Sequence, residues 1–214
     1  MLYAAKSGKV QRSLDLGGTW TDAGSMTVAG DAELTGSEAG APRLWAVLNE
    51  AGAQKLYRSD DAGGSWTYLT TLTDYWDCLG ASITNADLFC YGGVELWKTT
   101  NGGTSFAKQN GWGDYYGNPA AKLHADMMGV DVYPDGGGER WYVNTHGGTY
   151  ESTDGLATVS NLSLYGLNVS QYYTTHTSTA NPVHVVAGAQ DQGYQWTDDL
   201  PAADGLLPFD QIIS

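Results

Sequence analysis

Ser59-Asp60-Asp61-Ala62-Gly63-Gly64-Ser65-Trp66 is the stretch that decides the fold, because the chain repeats it. Ser13-Leu14-Asp15-Leu16-Gly17-Gly18-Thr19-Trp20 comes before it and Thr99-Thr100-Asn101-Gly102-Gly103-Thr104-Ser105-Phe106 after it. A decayed fourth copy reads Ser152-Thr153-Asp154-Gly155-Leu156-Ala157-Thr158-Val159. Asp15, Asp61, Asn101 and Asp154 stand 46, 40 and 53 residues apart, and self-similarity at that period marks an array of like supersecondary units. The shared pattern is Ser/Thr-x-Asp/Asn-x-Gly-x-Ser/Thr-aromatic. An Asp or Asn oxygen is expected to take a backbone N–H two residues on and close a tight turn. Gly17, Gly63 and Gly103 supply a positive φ that a side chain would penalise. Trp20, Trp66 and Phe106 then open a strand and bury a large apolar surface. In the fourth copy Leu156 replaces the glycine and Val159 the aromatic, so a looser or rebuilt turn is expected there.

Each copy follows a pair of strand-like runs rich in aromatic and β-branched residues. Examples are Arg43 to Leu48 with Gln54 to Arg58, Asp87 to Tyr91 with Val94 to Lys98, and Arg140 to Asn144 with Gly148 to Glu151. Short Gly/Asn loops join the runs, which is the signature of antiparallel hairpins. No stretch of ten or more residues has a helical period. Three or four antiparallel strands per 40 to 53 residues predict an all-β chain, a β-propeller of four-stranded blades. Four boxes and a further hairpin from His184 to Asp199 give about five blades, with residues 1–214 as one domain. The chain opens inside a hairpin and stops as another strand begins, so a segment of a longer polypeptide is expected.

The boxes resemble those of the Asp-box (BNR) β-propellers, which include sialidases, xyloglucanases, the sortilin luminal domain and photosystem II assembly factors. The resemblance covers nearly the whole chain. The C-terminal half is similar to large secreted bacterial sortilin-like/BNR repeat proteins, which are glycosyl hydrolase-like. It carries, in their order, an H-x-D segment (His124-Ala125-Asp126), a G-G-x-Y-x-S segment (Gly147 to Ser152) and a G-x-Q-D-x-G segment (Gly188 to Gly193). This likeness implies an extracellular or cell-surface protein. It also implies that the box residues, Asp15, Asp61 and Asp154 included, are structural and lie away from any axial site.

A net charge of −14 argues against nucleic acid, which needs a basic footprint. No apolar run is long enough to insert in a membrane. No N-terminal stretch resembles a signal peptide. Cys78 and Cys90 flank a turn-forming segment and read either as a disulfide across a hairpin or as two small buried apolar residues. Their spacing fits no metal site. No cofactor is expected, although a structural cation such as calcium fits an acidic chain.

Several residues carry candidate chemistry. His124 and Asp126, two apart, would share one face of a strand. They could orient a polar ligand or hold a cation, with His146, Gln190 and Asp191 as neighbours. The loop Asn110 to Asn118 offers Trp112, Tyr115 and Tyr116 among glycines, and exposed aromatics stack on sugar faces or anchor protein partners. A sialidase needs three convergent arginines, but only Arg12, Arg43, Arg58 and Arg140 exist and two of them precede boxes. A xyloglucanase-like hydrolase needs a carboxylate pair, for which Asp126, Asp131 and Asp191 are the candidates. In a bacterial chain, which the resemblance implies, the sequons at Asn161 and Asn168 would be incidental. The sequence therefore favours a non-catalytic extracellular module whose partner is a glycan, a protein or the rest of its own polypeptide. A propeller glycoside hydrolase is the alternative.

Overall fold

The computed structural model describes residues 1–6, 8–28, 30–164, 172–179, 184–190, 193–198 and, in backbone only, 210–213. Their strands form five antiparallel sheets. The first holds β1 (Leu2–Lys6), β2 (Lys9–Ser13) and β3 (Thr21–Thr27); the second β4 (Ala32–Ser37), β5 (Arg43–Glu50), β6 (Ala53–Ser59) and β7 (Thr67–Leu72). The third holds β8 (Cys78–Ala81), β9 (Phe89–Gly92), β10 (Leu96–Thr99) and β11 (Ala107–Lys108); the fourth β12 (Met127–Asp135), β13 (Gly138–Thr145), β14 (Gly148–Ser152) and β15 (Ser160–Asn161). The fifth is β16 (Tyr172–Thr177), β17 (Val185–Ala189), β18 (Gly193–Thr197) and β19 (Asp210–Ile213). In sheets two to five the order in space follows the order in the chain, each sheet being a meander. Strands β4, β8 and β12 lie side by side, and β1 lies against β4. The cores sit between sheets: Val10 and Ala23 meet Leu48, Trp45 and Val47 meet Leu79 and Phe89, and Cys90 and Leu96 meet Trp141 and Tyr150. Flat sheets stacked face to face around adjoining inner strands make this a β-propeller.

The four boxes join the last two strands of sheets one to four, and one set of bonds recurs in each. The hydroxyl of the first residue accepts the N–H four positions on: Gly17 to Ser13 at 2.8 Å, Gly63 to Ser59 at 2.9 Å, Gly103 to Thr99 at 3.1 Å and Leu156 to Ser152 at 3.0 Å. The Asp or Asn Oδ1 also reaches four residues on, accepting from Thr19, Ser65, Ser105 and Thr158 at 2.8 to 3.0 Å. The expected two-residue Asx bond is thus replaced by a four-residue one. The two-residue bond belongs instead to the hydroxyl, which accepts the Asp or Asn N–H.

Two successive residues in every box are left-handed: Leu16 and Gly17, Ala62 and Gly63, Gly102 and Gly103, Gly155 and Leu156. The fourth turn, expected to be loose, keeps the hydroxyl and carboxylate bonds of the others and lacks only the bond from the Trp20 or Trp66 indole N–H to the box glycine carbonyl, for which Val159 has no donor. Leu156 takes φ 62° there and is wholly buried against the third sheet. A left-handed leucine costs roughly 1–2 kcal/mol, and burying its side chain returns about 1.5–3 kcal/mol. Packing therefore covers the strain.

The second, third and fourth boxes each dock on the preceding sheet. Gly63 meets Ala23, Gly103 meets Leu69, and Gly155 meets Leu88. A Cβ on Gly24 would lie 2.4 Å from the carbonyl oxygens of Gly63 and Gly64, so only glycine permits that backbone approach. The cation just before the second and third boxes reaches the box that follows: Arg58 donates to the Gly102 carbonyl at 3.0 Å and Lys98 to that of Leu156. Arg12 holds the same place, but Tyr3 hydroxyl takes the Ala62 carbonyl at 3.2 Å and Arg12 Nε is buried without a partner. In the fourth sheet the position is Glu151, which pairs with Arg140 instead. At the same end Glu139, nearly buried, accepts from Ser82 Oγ and Trp141 Nε1 and from the N–H groups of Ile83 and Thr84. It fastens the β8–β9 turn to the fourth sheet.

Cys78 and Cys90 are free and buried. Register sets Cys78 opposite Gly92 and Cys90 opposite Gly80, so the thiols are diagonal neighbours and the disulfide is not formed. Burial raises Cys78 to about 12 and Cys90 also well above its ordinary value.

Asp15 and Asp61 are lowered to about 2, first by the backbone N–H of Thr19 or Ser65 and then by the same residue's hydroxyl. A lowered folded value means stability that is present above the ordinary 3.8 and lost as pH falls towards about 2. Thermal melts should therefore hold their Tm down to the ordinary carboxylate range and fall below it. Asp61→Asn should make that fall shallower, since Asn101 fills the same role without titrating. An acid slope identical to that of the parent protein would contradict this.

Candidate binding site

The boxes lie at one end of the sheets, and the candidate ligand residues gather at the other. This second end is built from the turns joining the middle strands of each sheet and from the connections that enter the innermost strands.

The connection from β11 to β12 is fixed at several points. Asn110 ties its two ends, accepting the Leu123 N–H at 3.0 Å and donating to the Leu123 carbonyl at 3.1 Å. Glu95, in the β9–β10 turn, accepts the Trp112 N–H at 3.1 Å and pairs with Lys108, which lies over the Trp97 ring. Asp74 holds that turn from the other side through the N–H groups of Val94 and Glu95 and Trp97 Nε1. Buried Asn161 donates to the Pro119 carbonyl at 3.0 Å and accepts the Ser163 N–H, so this sequon asparagine is a structural tie. The other sequon, at Asn168, lies outside the described residues.

Between these anchors Trp112–Gly117 forms a short 3-10 helix where the sequence suggested only a loop. Trp112 is 53% exposed and Tyr116 56%. The rings of Trp112 and Tyr116 meet edge to face at 6.3 Å, and Tyr116 meets Tyr115 at 5.4 Å. Tyr115 is half-buried and stands edge-on to His124 at 4.7 Å.

His124 and Asp126 do not share a strand face. Both precede β12, and the Asp126 and Met127 N–H groups bond the Val94 and Gly93 carbonyls of the neighbouring sheet. Asp126 takes φ 65°, which turns the two side chains apart. His124 is buried: its N–H donates to Tyr150 Oη, and Nδ1 donates to the Ala125 carbonyl at 3.0 Å. It is the floor beneath the aromatic rings. Asp126 instead meets His146, with Oδ2 3.2 Å from Nδ1. Gln190 Nε2 lies 3.0 Å from the same nitrogen, and Tyr173 hydroxyl donates to Gln190 Oε1. A ring nitrogen gives its proton to a carboxylate or takes one from an amide, so Asp126 and Gln190 favour opposite states of Nδ1.

Asp126, His146 and Gln190 are thus brought together, Asp131 is exposed on β12 opposite Tyr142, and Asp191 lies outside the described residues. Among the described residues no three His, Cys, Asp or Glu side chains gather to hold a metal ion. Tyr173 and Trp76, both largely exposed, are additions the sequence did not single out. The N–H of Trp76 bonds Gly92 O, beside the Glu95 turn. Each precedes or opens an innermost strand, and that position was the available signal.

No protein-family model matches this chain, and no curated protein does. Solved structures do. A GH74 enzyme of Niastella koreensis is similar with a TM-score of 0.52 and 18% identity, over 94% of this chain and 34% of that one. An ancestral GH74 enzyme gives a TM-score of 0.52 at 12% identity, over 98% and 29% respectively. This chain therefore spans about a third of the length of the GH74 chains it matches. YCF48 bound to a D1 peptide aligns more loosely, with a TM-score of 0.48 at 12% identity over 88% of this chain and 58% of that one. At such identities the likeness concerns the fold alone, and the fold is a β-propeller.

A Cβ added to Gly147 would lie 2.3 Å from His124 Cγ. Gly147→Ala should push His124 from under Tyr115, costing about 1–3 kcal/mol and changing the near-ultraviolet circular dichroism. Gly113→Ala, which meets nothing within 4 Å, should do neither. Equal melting curves for the two variants would show that His124 does not support the rings.

Proposed function

We propose that this chain is a non-catalytic, extracellular binding module that takes a glycan across the end of the propeller bearing Trp112, Tyr116 and His146. The observation that carries this reading is the pair of ring faces on an anchored support. Trp112 and Tyr116 are more than half exposed, while the loop that presents them is tied by Asn110, Glu95, Asp114 and Asn161. Fixed aromatic rings lose little conformational entropy on binding and stack on the apolar faces of sugars. Asp126, His146 and Gln190 lie beyond His124 and offer hydroxyl-binding donors and acceptors, the combination of apolar platform and few polar groups typical of ligand sites. The chain's net charge of −14 favours a neutral glycan over an anionic one. Of the candidate carboxylates, Asp126 is engaged by His146, which suits orienting a ligand better than acting as a free acid or base.

The test is retention on a glycan array, followed by affinity electrophoresis in the polysaccharides retained. Trp112→Ala and Tyr116→Ala should each weaken retention about tenfold or more with the melting temperature unchanged. Absence of retention on any glycan, or full retention by Trp112→Ala, would overturn the reading.

A further inference from the structure

The β9–β10 turn is a hub for the end of the propeller that carries the aromatic loop. Its successive residues accept backbone N–H groups from elsewhere in the chain. The Gly92 carbonyl takes that of Trp76 at 2.9 Å, Gly93 that of Met127 at 2.8 Å and Val94 that of Asp126 at 2.9 Å. The Glu95 carboxylate takes that of Trp112 at 3.1 Å. The entry to β8, the entry to β12 and the 3-10 helix therefore converge on one short turn. In the order of these attachments Asp126, with His146 on its carboxylate, comes between the two tryptophans.

Trp76 stands on a backbone as firmly held as that of Trp112. Before it, Asp74 accepts the N–H groups of Val94 and Glu95, and Tyr75 is buried with its hydroxyl donated to Glu33. After it, Asp77 is left-handed at φ 53° and Cys78 is buried. Trp76 itself is 52% exposed, close to the 53% of Trp112. Sheets two and four pack on the two faces of the third, so this exposure belongs to the end of the propeller and not to an uncovered blade. The ring contacts that join Trp112, Tyr115, Tyr116 and His124 do not include Trp76. Its indole is a separate apolar platform.

We infer, resting on the glycan reading above, that the ligand is an extended run of a linear polysaccharide and that Trp76 is a second stacking subsite for it. A single sugar on Trp112 and Tyr116 leaves Trp76 in water. A chain that continues past Asp126 and His146 covers Trp76 as well and gains the burial of a second indole. The carboxylate and imidazole between the two platforms meet the hydroxyls of the intervening sugars. Both indoles are positioned before binding, so occupying the second costs little conformational entropy. Two subsites on one rigid turn make affinity grow with the length of the chain, because the second contact is made within the complex.

The experiment is isothermal titration calorimetry with a ladder of oligosaccharides cut from the polysaccharide that the glycan array retains. For the parent protein, affinity should rise about tenfold or more from the shortest oligosaccharide bound to the longest. Trp76→Ala should remove that rise, so that long oligosaccharides bind no more tightly than short ones, with the melting curve unchanged. Trp76→Tyr, which keeps a ring, should retain part of it. Trp112→Ala should weaken short and long alike. A parent affinity independent of length, or a Trp76→Ala variant that keeps the full rise, would overturn the second subsite and leave the glycan reading standing. Retention of no glycan at all would overturn both.

Discussion

A buried hydroxyl that accepts the N–H of a residue four positions further on is the constraint on which the architecture depends. Ser13, Ser59, Thr99 and Ser152 each hold such a bond, and each box carboxylate or amide closes a second loop around the same turn. Together they keep two consecutive residues left-handed, a conformation an unsupported turn would leave. The turn then becomes a flat knuckle that fits against the preceding sheet. Where the knuckle is glycine, backbone meets side chain closely; where it is Leu156, a side chain fills the gap. Both satisfy one requirement, which is to exclude water between stacked sheets.

Interblade packing has a polar counterpart at each end. At the box end, Arg58 and Lys98 cross from one sheet to the next box, and Glu139 fastens the β8–β9 turn to the fourth sheet. At the opposite end, Asp74 and Glu95 order the β9–β10 turn, and its carbonyls take the N–H groups of Asp126 and Met127. The rigid support of the aromatic loop follows from this second set. The end face is thus built on interblade bonds and not on loop composition.

The fold was legible because its determinant is local: eight residues, repeated, specify a turn irrespective of what surrounds it. The misreadings arise where a neighbouring sheet decides. Leu156 looked like decay because its compensation is burial on the third sheet, which no local pattern records. His124 and Asp126 looked like a strand pair because alternation was extended back beyond Met127, where bonds to Gly93 and Val94 override it. The diagonal placing of Cys78 and Cys90 depends on register, which two isolated cysteines do not reveal. The aromatic residues of the site were legible as types, from Trp112 and Tyr116 among glycines. Their grouping with His146 and Gln190 was not, since it depends on which turns share one end of the propeller.

Hydrogen exchange at the box amides tests this account most directly. The N–H groups of Gly63, Gly103 and Leu156 bond buried hydroxyls between sheets, so they should exchange only when blades separate and rank among the slowest in the chain. Gly17, which carries the same bond but meets no other sheet among the described residues, should exchange faster. If Gly63, Gly103 and Leu156 exchanged as fast as the open hairpin tip at Gly136 and Gly137, the hydroxyl-held knuckle would not be what joins the blades.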